Sequence, residues 1–587
     1  MCVFRWVGAA ALAAVVLVSS GTAAELPPAS QWMPGGALAA IEVSNAEDVL
    51  DLLLGDELLA AAAALPVWQQ EEQAAGLAQF QQTVSYFEAH LGTDWKTATR
   101  KLLGGGATLA VYPDQSVLLV IDGTDAALLE RFRDFATTIA KGEAAKTGNP
   151  DRIRSSDYRG VTGWTFGAQE AHAVLGSRLI VSNRVERLKS VIDLRADGGG
   201  TLADQSQYRA AKATAGPQAD ALLMVDLGLL KQAPNVRQTL DKPGHPMADL
   251  LLAGVADSLR AAQVVTLAAD VEGHAVRLTA AGDGKAAAAR GAAAFTPTAD
   301  GSVLPNLRVP GYIAGFSFCR DLHGFYAAKD ELFPERTGGL IFFENMMGIF
   351  FSGRDLTDEV LAELGPKIRL VVAQQAYDEA NGVPATQFPA VAAVLRMQKD
   401  PQKFSIVMEE AWQKAIGLVN FTRGQQAEPG LIIDRPTHGD TRFTVARFAA
   451  PKVEERSDAD VRFNFSPALA MPDGYLILSS TEGLARDLID ALKQEASETL
   501  DGIEEVHSLV EVDGTSLAAV LRANREPLVR KNMLEEGHSR EQAETAIASL
   551  VAIVGQFRQV GLELRGLAGA TQARLSIELK LDEKQAP

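Results

Sequence analysis

The sequence predicts an α+β protein made of two tandem homologous units, each a largely antiparallel sheet with helices packed mainly on one face. Three observations carry this reading: a gap-free internal match, apolar runs separated by hairpin-length steps, and a compositional break midway along the chain. Residues 92–111 align without gaps to residues 353–372, with six of the 20 positions identical, and self-similarity of this kind marks repeated structure. A second match joins Leu179-Ile180-Val181-Ser182 and Ile192-Asp193 to Leu476-Ile477-Leu478-Ser479 and Ile489-Asp490. Weaker matches keep the same order: Pro34-Gly35 with Pro310-Gly311, residues 221–226 with 508–513, and Gln263-Val264 with Gln559-Val560.

Each unit opens on a short strand, residues 37–43 and 313–319, and runs into a helical region. Thr93 or Asp94, and Asp355 in the second copy, suit the first position of a helix, where a side-chain oxygen accepts a hydrogen bond from an unpaired backbone N–H. Gly104 and Gly365 are expected to end those helices in the left-handed conformation. The apolar runs that follow, residues 107–112 and 368–372, read as buried strands. In the first unit a hairpin of 107–112 and 116–122 leads into a helix at 126–141. A second, of 160–166 and 171–182, leads into a helix at 185–194. A strand at 221–226, a helix at 247–260 and a closing hairpin of 264–271 and 274–281 complete it. Strands joined by such short connections are most simply antiparallel, and strands segregated from covering helices make an α+β fold.

Residues 282–307 are rich in Gly, Pro, Thr and Ala, with few large apolar side chains, the composition of a connecting segment. The expected organisation is a signal peptide at 1–24, a first unit at 25–281, a linker at 282–307, a second unit at 308–582 and a polar tail at 583–587. Arg5, the apolar stretch from Val7 to Ser20 and the small residues up to Ala24 form the leader. That stretch falls short of the roughly 20 residues a spanning helix needs; retention as an anchor is the second reading, with Pro27, Pro28 and Pro34 as a tether.

Of the two cysteines only Cys319 lies outside the leader, so no internal disulfide is expected in the mature protein. Loss of Arg5 with the leader moves the net charge from −19 to −20, and such a surface is repelled by nucleic-acid phosphates and anionic lipids. Nucleic acid is therefore excluded as a partner, and no integral membrane segment is expected after the leader.

The eight histidines (His90, His172, His245, His274, His323, His438, His507 and His538) form no HxH, HExxH or HxxxH pattern, so no metal site is built locally. Cys319 and His323 are near enough in sequence to suggest a thiolate pair, but the Pro34/Pro310 register places Cys319 on Val43, an apolar strand position, and His323 on Glu47. Ser182 and Ser479 read as helix caps and stand in no GxSxG elbow. Gly104-Gly105-Gly106 joins a helix to a strand and lacks the Lys and Ser/Thr of a phosphate loop; Gly198-Gly199-Gly200 reads as a helix stop. Residues 122–125 and 457–460 offer paired carboxylates without the ligand spacing of a calcium loop, and Asn420 and Asn464 head glycosylation sequons. No catalytic, cofactor-binding or metal-ligating residue is assigned, and no cofactor.

The leader, the Pro-Gly opening strand, and the segments LGGGATLAVY and RLIVSNRVERLKSVID resemble a family of large exported tandem-repeat proteins of planctomycete-like bacteria, to which no activity is attached. The function expected is an exported, non-enzymatic one in the periplasm or cell envelope, binding a protein or envelope component or serving a structural role. The alternatives are a carrier of an apolar, lipid-like ligand and a hydrolase whose site is assembled from distant residues. The first expectation is direct: secreted from a bacterial host, the protein should have the intact mass of a chain starting at or beside Glu25, whereas the mass of the full chain would select the retained anchor.

Overall fold

A computed structural model describes residues 26–581 apart from 70, 150–151, 168–169, 242–245, 253, 284–294, 297–301, 334–337, 378–382, 451–458, 498–501 and 568–569. The leader, Cys2, His245, the tail and most of the 282–307 segment lie outside the described residues. The chain divides into two compact units, one of Met1–Lys242, Leu259–Lys285 and Leu581–Pro587, the other of Pro243–Ser258 and Ala286–Lys580.

The strands of the first unit are β1 (Ala39–Val43), β2 (Ala107–Val111), β3 (Val117–Asp122), β4 (Ile153–Tyr158), β5 (Val161–Phe166), β6 (Glu170–Leu175), β7 (Arg178–Ser182), β8 (Ala221–Asp226), β9 (Val264–Glu272) and β10 (Ala275–Gly282). They pair antiparallel throughout, in the order β4-β5-β6-β7-β3-β2-β1-β8-β9-β10. Those of the second are β11 (Tyr312–Cys319), β12 (Leu364–Ala373), β13 (Ala390–Met397), β14 (Ile432–Asp434), the small hairpin β15 (Thr437–His438) and β16 (Thr441–Arg442), β17 (Thr444–Arg447), β18 (Ala468–Ala470), β19 (Tyr475–Ser479), β20 (Val506–Asp513), β21 (Phe557–Leu567) and β22 (Ala570–Leu579). Apart from the small hairpin, they too are all antiparallel, in the order β14-β17-β18-β19-β13-β12-β11-β20-β21-β22.

Helices pack on both faces of each sheet, closing one of them and meeting the other at one end. In the first unit α5 (Val185–Asp197) and α6 (Ser206–Ala215) place Leu188, Val191, Tyr208 and Ala211 against Ala40, Ala110, Leu118, Val120, Ile180 and Met224. On the opposite face α1 (Ala46–Leu54), α3 (Trp95–Leu103) and α4 (Ala126–Lys146) join Leu50, Leu102 and Leu128 to Val43, Val174 and Leu179. Leu179 and Ile180 are consecutive, and successive strand residues point to opposite faces, which is how one strand serves both layers. The helix α2 (Glu71–Leu91) lies beside α3 and α4.

Several local expectations need correction. Asp94 and Asp355 cap as read, accepting from the N–H groups of Thr97 and Asp358, but Gly104 is right-handed at φ −61° and Gly365 lies inside β12. Gly106 is the left-handed residue, at φ +98°. Gly104 is required by space, since a Cβ there would sit 2.1 Å from the Arg100 carbonyl oxygen. Ser182 and Ser479 are not caps: each closes a tight turn at a strand end, accepting from the N–H of Arg184 and Thr481 respectively. The ladders also shift the Cys319 register. Val43 pairs with Ala107 and Phe318 with Ile368, and Ala107 and Ile368 are matched positions, so Phe318, not Cys319, stands where Val43 does.

The second unit takes in chain on the first unit's side of residue 282. Its helix α7 (Pro246–Leu252) is held by Arg320, whose side chain is 2% exposed. The Arg320 Nε donates to the Leu250 carbonyl at 2.6 Å and Nη2 to that of Leu251 at 2.8 Å. The remaining donors reach the Cys319 and His507 carbonyls and the Ser508 hydroxyl. All five N–H groups are thus met by neutral acceptors, two of them carbonyls that a helix end leaves unpaired. Burial pulls the Arg320 guanidinium down to about 10, which leaves it charged at neutral pH. Val303 and Leu307 are also buried in this unit, so the segment taken as linker is packed at its C-terminal end. Arg320→Ala strands four buried acceptors and a fifth that is partly buried, each buried one costing about 1–3 kcal/mol when left unmade. It should lower the second unit's stability to denaturant by at least about 3 kcal/mol, with Arg320→Lys recovering only part.

Candidate functional site

Along the central strands of the first unit the two faces are enclosed to different degrees. Ala40, Ala110, Leu118, Val120, Ile180, Leu222 and Met224 are 0–3% exposed. The residues that alternate with them, Leu109, Val111, Leu119, Val181, Leu223, Val225 and Leu267, are all partly exposed, and Ile41 in their midst is 42% exposed. Ile41 stands opposite Leu109 on one side and Leu223 on the other, and Leu109 opposite Leu119, so these side chains form one continuous apolar floor. The helices α1, α3 and α4 close only the end at Val43, Val174 and Leu179.

The second unit repeats the contrast. Val371, Ala392, Val394 and Ile477 are 0–2% exposed, packed by Leu484, Leu488 and Leu492 of the helix α11 (Glu482–Ser497). On the other face Phe316, Leu370, Val372 and Val510 are partly exposed, and Val391 and Leu478 are 47% and 36% exposed. The helix α10 (Pro401–Gln425) covers that face at one end, where Phe404, Met408 and Trp412 pack on Leu476. The signal for these floors was in the sequence: VLLVID in β3 and ALLMVD in β8 are apolar at both parities, where a half-solvated antiparallel strand would alternate.

The residues weighed for chemistry stay apart. Cys319 is 1% exposed, enclosed by Val303, Val506 and Leu509, while the His323 ring faces Asp358 at 3.8 Å. His274 pairs with Glu57 at 2.9 Å, His438 with Asp490 at 2.8 Å, and His538 with Asn532 at 2.8 Å. His90 bonds the Tyr86 carbonyl and stacks on Tyr86 and Phe135. Among the described residues no group of three or more His, Cys, Asp or Glu is placed to hold a metal ion. Asp122 is paired with Arg178 at 2.5 Å and Asp125 caps α4, which occupies both carboxylates of that acidic turn. Asn464 is 1% exposed and engaged by Phe388, Thr386 and Val461, which closes its sequon to an enzyme. A cleft of about 620 Å³ between α2 and α4 has Tyr86, His90, Phe135 and Ile139 as its apolar part and Arg131, Asp134, Glu143 and Lys146 around them.

No described helix is long and apolar enough to cross a membrane. No family model matches the chain, and no curated protein does. Among solved structures, crystal form IV of TP0453 matches at 11% identity and a TM-score of 0.22, over 44% of this chain and 81% of that one. Crystal form I of the same protein matches at 10% identity and a TM-score of 0.23, over 44% and 78%. Likeness at that level carries no argument about fold or function.

Two of the described histidines, His172 and His507, are buried in the sheets. Burial first, and then Arg133 for His172 and Arg320 for His507, holds each ring down to about 4. Each stays neutral in the folded protein to about pH 4 yet takes a proton near 6.5 when unfolded. The unfolded state therefore binds more protons between those values, and stability falls as pH drops through that window. The loss should reach about 3 kcal/mol per histidine. Melting temperatures taken from pH 7.5 to 4 should decline below about 6.5 and flatten near 4, and the His507→Gln protein should lose part of that slope. A flat wild-type profile overturns the assignment.

Proposed function

We propose that the chain is an exported, non-enzymatic binding protein made of two tandem homologous units, each of which carries an apolar, lipid-like molecule on the open face of its sheet. The observation that carries this is the floor around Ile41: an unbroken row of Leu, Val and Ile side chains, partly exposed, on strands whose other face is sealed. Fully burying such a side chain is worth about 1.5–3 kcal/mol relative to exposure, so a ligand that covers the row recovers free energy the fold leaves unused.

Duplication is supported by the identical strand order of the two sheets and by matching caps. Asp226 accepts from the Leu229 N–H after β8 and Asp513 from the Ser516 N–H after β20, and these two aspartates end the matched segments 221–226 and 508–513. The resemblance to exported tandem-repeat proteins belongs to the same reading. A floor without donors or acceptors supports an apolar ligand over a peptide or glycan, whose polar groups would be left unpaired on it. A hydrolase assembled from distant residues has less support, since His274, His323, His438 and His538 face separate partners and His172 and His507 are buried in the sheets.

An organic extract of the purified protein, analysed by mass spectrometry, should contain lipid. The fluorescent fatty acid cis-parinaric acid should bind the wild type, and the double variant Ile41→Asp, Val391→Asp should bind it at least tenfold more weakly. Both positions are already more than 40% exposed, so the fold should persist. Absence of lipid from the extract together with no parinarate binding would return the reading to a protein or envelope-component binder.

A further inference from the structure

The helix α9 (Gly338–Phe350) of the second unit reads GGLIFFENMMGIF. Ile341, Phe342, Asn345 and Ile349 project from one side of it, since steps of one, four and eight residues fall within about 100° at 3.6 residues per turn. Phe342 and Ile349 are each 68% exposed and Ile341 is 47% exposed. The helix has one ionic residue, Glu344, and that is turned inward, accepting from the Tyr326 hydroxyl at 3.2 Å with Lys329 at 3.8 Å.

The apolar surface continues onto α10, which α9 contacts. Ile406, Glu410, Lys414 and Phe421 share one face of α10 by their spacing, and Glu410 is bonded there to Ser352 and, at 3.3 Å, to Arg354, just beyond the end of α9. Ile406 and Phe421 on that face are 69% and 64% exposed. The one carboxylate between them is matched: Lys414 lies 2.9 Å from Glu410, and the Ser352 hydroxyl, Lys414 and Arg354 hold the Glu410 carboxyl down to about 2.

We propose that α9, with the adjoining face of α10, is a membrane-docking surface that seats in the interface of a zwitterionic lipid bilayer. Three arguments select this occupant. At about 1.5 Å per residue a 13-residue helix spans about 20 Å, too short for a hydrocarbon core of about 30 Å, so it lies in the plane of the membrane. The projecting side chains extend across two helices, a breadth that suits a lipid surface, whereas a helix gripped by a protein groove offers a single stripe of anchors. The patch sets the single carboxylate of Glu410 against Lys414 and Arg354, so it turns no excess negative charge toward neutral headgroups, while the chain as a whole, at net charge −19, is repelled by anionic ones. This inference stands apart from the carrier reading and needs no ligand on the sheets.

The test is flotation with phosphatidylcholine vesicles. The full chain without its leader should co-float, and the double variant Phe342→Glu, Ile349→Glu should lose at least nine-tenths of the bound fraction while keeping its melting temperature and its parinarate binding. Addition of phosphatidylglycerol should lower wild-type binding. Failure of the wild type to float overturns the proposal, as does equal flotation of wild type and variant or a requirement for anionic lipid. Dimerisation in sedimentation velocity that the variant abolishes, without vesicle binding, also overturns it and makes a second copy the occupant.

Discussion

A sheet has two faces, and in each unit of this protein the helices are sufficient to seal only one of them. In the first, α5 and α6 enclose Leu118, Val120 and Ile180 almost completely, while α1, α3 and α4 meet the other face at its Val43–Leu179 end. The second unit does the same with α11 against one face and α10 at one end of the other. Because side chains alternate along every strand, the sealed row dictates where the open row falls. Ile41 and Leu109 are exposed as a consequence of Ala40 and Ala110 being buried.

The buried charges serve the sealed layer and its surroundings. Arg178, 1% exposed, is met by Asp122 and the Pro27 carbonyl and lies over the Trp32 ring. Arg369 is paired with Glu495 of α11. Glu511 accepts from Asn306 and Gln559 and is paired with Arg308 at 3.0 Å. Such pairs contribute less to net stability than to fixing which groups meet, because desolvation offsets most of their attraction, whereas removal of one partner leaves a buried charge uncompensated.

Much of this architecture was legible in the sequence. The matched segments landed on equivalent strands, β2 with β12, β7 with β19 and β8 with β20, and the aspartates at 94 and 355 cap as their positions required. What escaped has physical causes. The edge strand β4, IRSSDY, is polar and pairs with β5 alone, so it has no buried row to betray it. A single expected helix at 247–260 is two, Pro246–Leu252 and Val255–Ala261, the first of them in the second unit and bound there by Arg320, a contact 70 residues away in sequence. The one-residue error at Cys319 arose from carrying a loop register into a strand, where only the ladder decides. The open floors were missed for a related reason. Periodicity shows that both parities of β3 and β8 are apolar, but not how far the helices reach across them.

The exposed apolar residues are of two kinds, and the difference bears on what each meets. On the floors they are recessed: Leu109, Leu119 and Leu223 keep only partial exposure, and even Ile41 is less than half exposed. A recessed row flanked by helices limits what can reach it to something narrow and deformable, as an acyl chain is. Phe342, Ile349, Ile406 and Phe421 are each about two-thirds exposed and stand out from the surface, where no small molecule could enclose them. Only an extended apolar medium or a large complementary surface removes side chains in that position from water, so recess and projection call for different partners even on the same unit.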